Sequence, residues 1–142
     1  TRNLFLSTGY KVAQKTLSHI NGFYGVNTAS AKVTAILEDL INLEAKYVSF
    51  STNDDIVSIK QAAAKRICLV GNLNGIKMVN WSEAEIVSNV KTVIKHAGRD
   101  GGLMFAESHG EIPWQVSEKV LLGISAAVEE FGRYPLTWCN HE

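Results

Sequence analysis

Apolar residues recur along this chain at two spacings. In residues 81–98, "WSEAEIVSNVKTVIKHAG", the positions Ile86, Val87, Val90, Val93, Ile94 and Ala97 fall on one face of a helix. Ser82 precedes the run with Glu85 three residues on, the pattern of a capping box, and Gly98 is a natural C-terminal cap. In residues 116–132, "VSEKVLLGISAAVEEFG", Ser117 is the expected N-cap, Val120, Leu121, Ile124, Val128 and Phe131 form the stripe, and Gly132 ends it. Residues 30–45 place Val33, Ile36, Leu37, Leu40 and Ile41 on one helical face. Residues 54–66 follow Asp54 or Asp55 as N-cap with an Ala-rich body.

Between these helices lie apolar runs too short to be helical. They are "KTLSHI" at 15–20, "KYVSF" at 46–50, "ICLVG" at 67–71 and "GLMFA" at 102–106. Their β-branched and aromatic residues, flanked by polar residues or Gly, predict strands. The first fourteen residues select neither loop, edge strand nor the end of a preceding helix. The remaining order is strand then helix, four times, which predicts an α/β fold with parallel strands and outer helices. Right-handed crossovers make such units a curved sheet. A closed (β/α)8 barrel needs about 250 residues and eight units, so residues 1–142 read as one domain equivalent to half a barrel. An open half exposes two strand edges, which invites a second chain or a second copy. The chain begins at Thr1, which fits a processed or truncated piece of something longer.

Composition narrows the classes of function. Hydrophobic residues make up 46% and charged residues 20%, and 14 Lys+Arg balance 14 Asp+Glu. No global basic field points to nucleic acid. No run approaches the roughly 18 apolar residues of a membrane span, and no secretory signal is recognisable. Two cysteines, Cys68 and Cys139, form no motif. Cys68 in "ICLV" reads as a small buried hydrophobe, and a reducing cytoplasm suits the chain better than disulfide bonding.

In a parallel sheet the loops after the strands gather at one end, where α/β proteins carry their chemistry. The expected loops are "HINGFYGVNT", "STNDD", "GNLNG" and "ESHGEIP". Their polar candidates are His19, Asn21, Asn53, Asp54, Asn72, Asn74, Glu107, His109 and Glu111. His19 and His109 are the sharpest pair, each expected at a strand end. Two imidazoles with Glu107 as third ligand are a donor set for zinc, and imidazole also transfers protons near neutral pH. The plainer role for each is a hydrogen bond to the backbone at the sheet rim. "GNLNG" is either a turn or a loop whose backbone and amides approach a polar ligand. "TNDD" reads first as a helix cap, and His96 suits the negative end of a helix dipole. His141 lies near the chain end, where order is expected to fail. Trp114 either packs over the rim or lines a pocket. No Ser-His-Asp set, CxxC or HExxH motif is present.

"CLVGNLNG", then a helix, then "GGLMFAESHGEIPWQVSEKVLLGISAAVEEFG" resembles the C-terminal half of the uroporphyrinogen decarboxylase superfamily. Members carry a Gly-Asn-Leu-Asp type loop after one late strand. They carry Gly-His-Gly or Gly-Cys-Gly, then Ile-Pro and a helix, after the last strand. The matching residues here are Gly71, Asn72 and Leu73, then His109, Gly110, Ile112 and Pro113. The resemblance spans about residues 15–132 and implies half of a (β/α)8 barrel. It implies two chemistries. One is methyl transfer to a thiol by a zinc enzyme working with a methylcobalamin-carrying corrinoid protein; its zinc is held by a His-x-Cys segment and a later Cys. "SHING" resembles the first segment, but Asn21 stands at its Cys and His109 at the later one, so a thiolate-rich site is excluded. His19, His109 and Glu107 would then hold the zinc, with Asn53, Asn72, Asn74 and Glu111 facing substrate. The other chemistry is decarboxylation of tetrapyrrole acetate side chains without metal or cofactor, in which His109 faces the tetrapyrrole. The resemblance places the catalytic Asp and the propionate-binding Arg residues in the other half of the barrel, and Asn74 replaces the loop Asp. The methyltransferase-like reading is the leading expectation and the decarboxylase-like one its alternative. A non-catalytic half-barrel that binds a partner chain is the third.

Overall fold

A computed structural model describes residues 1–140. The helices are α1 (Arg2–Ser7), α2 (Gly9–Leu17), α3 (Leu37–Asn42), α4 (Ile56–Ala63), α5 (Gly75–Met78), α6 (Glu83–Val93) and α7 (Glu118–Phe131). The strands are β1 (Gly25–Val26), β2 (Tyr47–Ser49), β3 (Cys68–Leu73) and β4 (Leu103–Glu107). They form one sheet in the order β1-β2-β3-β4, and every neighbouring pair is parallel. The expected α/β fold of parallel strands and outer helices is therefore what the chain adopts.

Register sorts the two faces of the sheet. Val48, Leu69 and Leu103 are partners across β2, β3 and β4. Val48 and Leu69 are fully buried, and Leu103 packs against both groups of core side chains. One group joins α3, α4 and β2, with Tyr10, Ala13 and Leu17 of α2 packed on it; the other joins α5, α6 and α7. The row with Ser49, Val70 and Met104 belongs to the opposite face, and Met104 there is 44% exposed. Tyr47, on that same face, is also exposed and lies over Gly25 of β1. The helices thus cover one face only.

Three of the four expected strands are present. The fourth expectation, a strand at 15–20, is corrected: α2 runs to Leu17 and the chain leaves it through Ser18. Tyr10, Ala13 and Leu17 repeat at helical spacing and pack on the core, so Leu17 completes a helical stripe rather than opening a strand. The first strand is instead the two-residue β1. The helix expected over 30–45 is also shorter. Ala29 and Ser30 have positive φ, residues 34–36 make a 3-10 turn, and α3 begins only at Leu37. Asp55 rather than Asp54 caps α4, accepting from the Ser58 amide at 3.2 Å. β3 reaches Leu73, so Gly71 to Leu73 are strand rather than loop, and Asn74 caps α5. The capping box at Ser82 and Glu85 is formed as expected. Past Val93 the chain widens into a π turn over Ile94–Gly98. Both cysteines are free; Cys139 is buried, Cys68 half-buried, and burial pushes the Cys68 thiol up.

Candidate functional site at the strand ends

The C-terminal ends of the strands carry a connected polar layer. Asn27 Oδ1 accepts from the Ala29 amide at 2.9 Å and from Ser49 Oγ at 3.0 Å. The Thr28 amide donates to Ser49 Oγ at 2.8 Å. The segment after β1 then crosses the top of the sheet, and Ser30 Oγ donates to the Ser108 carbonyl at 3.1 Å. A Cβ at Gly110 would stand 3.4 Å from Asn27 Nδ2, so the loops after the two edge strands meet. Beneath them Ser51, Asp54, Asn72 and Ser108 are buried polar groups.

Asp54 is the anchor of this layer. Its carboxylate accepts from the amides of Val33 (3.2 Å), Thr34 (3.1 Å) and Ser51 (3.0 Å), and from the Thr34 hydroxyl. It thereby stitches the start of the 34–36 turn to the end of β2. These bonds consume both oxygens, so Asp54 holds the backbone rather than facing a ligand. Asn72 Nδ2 donates to the Ser51 carbonyl at 3.3 Å. Asn74 Oδ1 accepts from the Lys77 amide at 3.0 Å.

Glu107 turns the chain at the end of β4. Its Oε2 accepts from the His109 amide at 2.5 Å and its Oε1 from the Gly110 amide. The same Oε2 would lie 3.0 Å from a Cβ at Gly75, with Pro113 Cδ at 3.3 Å, so the loop after β4 rests directly on the start of α5. His109 Nδ1 is 3.3 Å from Ser108 Oγ and 3.5 Å from Glu107 Oε2. These neighbours hold the imidazole on its Nδ1 edge, and its side chain is 26% exposed.

The zinc set expected from sequence is not assembled. His19 follows α2, exposed, with Nδ1 2.8 Å from the Lys15 carbonyl and 3.2 Å from Ser18 Oγ. Ser18, Ile20 and Asn21 line a concavity with Tyr24, Glu44 and Lys46, residues that precede β1 and β2. This is the N-terminal edge of the sheet, whereas His109 and Glu107 stand at its C-terminal edge. The strand wrongly assigned to 15–20 is the physical reason. Among the described residues no group of three or more His, Cys, Asp or Glu is placed to hold a metal ion. His19, His109 and Glu107 therefore do not fit a shared zinc, and Asn21 lies with His19, away from the strand ends.

Of the other candidates, Asn53, Asp54, Asn72 and Asn74 line one polar cavity of about 450 Å³ above β2 and β3. Glu111 is exposed on the loop after β4. Trp114 neither packs on the rim nor lines a pocket: it is 96% exposed. His96 sits in the π turn, and His141 lies outside the described residues. Sequence reasoning passed over Asn27, Ser49, Ser51 and Ser108, whose roles come from tertiary hydrogen bonds, and Lys77 and Asn89 of the cavity wall. Another concavity, about 710 Å³, is lined by α6 and the turn that continues it, along the flank of that helix.

No curated protein matches the chain. The family model described as uroporphyrinogen decarboxylase (URO-D) matches residues 11–131, from α2 to the end of α7. The match includes the Gly71–Asn72–Leu73 segment and the loop that carries His109. The single parallel sheet with flanking helices agrees with half of that family's (β/α)8 barrel. This chain belongs to the uroporphyrinogen decarboxylase family.

Proposed function

We propose that this chain forms the substrate-holding side of a decarboxylase-type barrel, with His109 facing a carboxylated tetrapyrrole at the mouth. The observation that carries the reading is the placement of His109. Among the described residues it is the imidazole that stands at the C-terminal ends of the strands, and the turn beneath it is fixed by both oxygens of Glu107. The donor chemistry favours this reading over the zinc-dependent methyltransferase, because His19 stands at the other end of the sheet and the Glu107 oxygens are engaged by backbone amides.

The roles of the residues follow from their contacts. Ser108 and Glu107 restrict the ring on its Nδ1 side. The Nε2 edge is then the one that meets a ligand, where it donates a hydrogen bond to a carboxylate or accepts one from a pyrrole N–H. Glu107 acts on the ligand only through His109, as a positioning residue. Asp54 and Asn72 keep the floor of the mouth in place. None of these groups is assigned the proton transfers of decarboxylation, which are expected from other parts of the barrel.

The test is titration of the purified chain with uroporphyrin, a stable oxidised probe, followed by the shift of its visible absorption band. His109→Gln is expected to weaken saturable binding about tenfold, the value of one charge-assisted hydrogen bond. Absence of saturable binding, or binding indifferent to the substitution, overturns the reading.

A further inference from the structure

The polar cavity above β2 and β3 has a chemistry of its own. Four asparagines, Asn53, Asn72, Asn74 and Asn89, line it with Lys77 and Thr92. Three of the four amides spend one half on the fold. Asn72 Nδ2 donates to the Ser51 carbonyl, Asn89 Nδ2 donates to the Glu85 carbonyl at 2.7 Å, and Asn74 Oδ1 accepts from the Lys77 amide. Each bond fixes the orientation of its amide. The halves left over are the carbonyl oxygens of Asn72 and Asn89 and the Nδ2 group of Asn74, which have no partner among the described residues. The Asn53 side chain contributes a fourth amide. A lining oriented before the ligand arrives costs less conformational entropy on binding.

Charge narrows the ligand further. The ionisable groups in the wall are Asp54 and Lys77. The Asp54 carboxylate is consumed by backbone amides and the Thr34 hydroxyl. Lys77 forms no ion pair among the described residues, so the wall offers one uncompensated ammonium. A single cation matches one negative charge, and the wall contains no Arg to grip a phosphate bidentately. The two free amide oxygens call for hydroxyl donors. About 450 Å³ lies within the roughly 300–1,000 Å³ of small-molecule sites.

We propose that this cavity is a second ligand site, separate from the His109 position, and that it takes a small hydroxylated monocarboxylate. Lys77 binds the carboxylate, Asn53 and Asn74 donate to it, and Asn72 and Asn89 accept from the hydroxyls. The proposal stands whether or not a tetrapyrrole binds at His109.

Gluconate is the probe, with sorbitol as its uncharged counterpart and glucose 6-phosphate as the dianion. Binding is read from the side-chain amide resonances of the asparagines in nitrogen-15-labelled chain. Gluconate is expected to shift the Asn53, Asn74 and Asn89 signals saturably, and sorbitol more weakly. Lys77→Gln, at an exposed position, weakens gluconate about tenfold through loss of the charge-assisted bond. Asn89→Asp weakens it by placing a like charge in the wall, and His109→Gln leaves it unchanged. No saturable shift, equal affinity of the wild type and Lys77→Gln, or tighter binding of glucose 6-phosphate than of gluconate overturns the proposal.

Discussion

Replacing Asp54 removes the acceptor that holds the strand-end layer together. Asp54→Ala leaves the amides of Val33 and Ser51, both in fully buried residues, without their carboxylate. An orphaned buried donor costs about 1–3 kcal/mol, so two cost about 2–6 kcal/mol before water enters the space left by the side chain. We expect a loss of about 3 kcal/mol after that relief. Asp54→Asn is milder and more diagnostic. Its oxygen can still serve the Thr34 amide and hydroxyl, but its NH2 then faces the Ser51 amide across the former 3.0 Å contact. One orphaned amide predicts about 2 kcal/mol. Urea unfolding followed by far-ultraviolet circular dichroism measures both, with an unchanged slope on denaturant showing that the folded state alone was affected. Amide hydrogen exchange gives the local counterpart: the Val33, Thr34 and Ser51 amides lose protection in Asp54→Asn while the amides of α6 and α7 keep theirs. A loss below about 1 kcal/mol in Asp54→Ala, or unchanged exchange at Ser51, would refute the assignment of Asp54 as the anchor.

Gly75→Ala forces a Cβ to 3.0 Å from Glu107 Oε2 and 3.3 Å from Pro113, so the loop after β4 must move. We expect about 1–2 kcal/mol of destabilisation and a shifted His109 imidazole signal in the NMR spectrum; an unmoved His109 signal counts against direct packing of that loop on α5. Acid should weaken the fold. Hydrogen bonds to Arg66, Ser58, Lys119 and Ser82 hold the carboxyls of Glu38, Asp55, Glu83 and Glu85 below their usual range. A carboxyl lowered in the folded state contributes stability above its ordinary pKa, 3.8 for Asp55 and 4.5 for the three Glu, and that contribution is lost as pH falls through the folded value. Urea midpoints should therefore be level near neutrality and fall below that range, and Glu85→Gln should flatten the fall; a pH-independent midpoint contradicts it. Trp114→Phe should remove the acrylamide-accessible part of the tryptophan fluorescence and change stability by less than about 0.5 kcal/mol, whereas persistence of that component would show that Trp114 is covered.

The helices after residue 80 were legible because their signals are local. Ser82, Glu85 and Ser117 satisfy orphan amides within one turn of themselves. The first strand was not legible for a matching reason. "KTLSHI" has the apolar content of a strand, but Leu17 belongs with Tyr10 and Ala13 on a helical stripe that only the packed core reveals. The true β1 is two residues beside Tyr47, its ladder supplied by a neighbouring strand, so little in its own sequence marks it. That one displacement moved the strand end from Asn27 to His19 and created a histidine pair that the fold does not make.

The Asp54 case shows how a local reading conceals a distant one. "NDD" before an amphipathic run announces a helix cap, and Asp55 is that cap. Asp54 beside it, with the same chemistry and the same local promise, is turned inward and serves amides some twenty residues earlier in the chain. A carboxylate buried there is tolerable only because these amides need an acceptor: residues 29 and 30 take left-handed conformations, and the 3-10 turn that follows is capped by Val33 and opened by Thr34, whose amides have no partner within the turn. The unusual loop and the buried charge are each costly alone and offset one another together. The loop set free in this way reaches Ser108, next to the His109 imidazole. The residue that shapes the mouth is thus Asp54, and the residue that meets the ligand is His109. A substitution at Asp54 should accordingly reduce uroporphyrin binding without touching the ligand, while Asp55→Asn, which weakens only the cap of α4, should leave it intact.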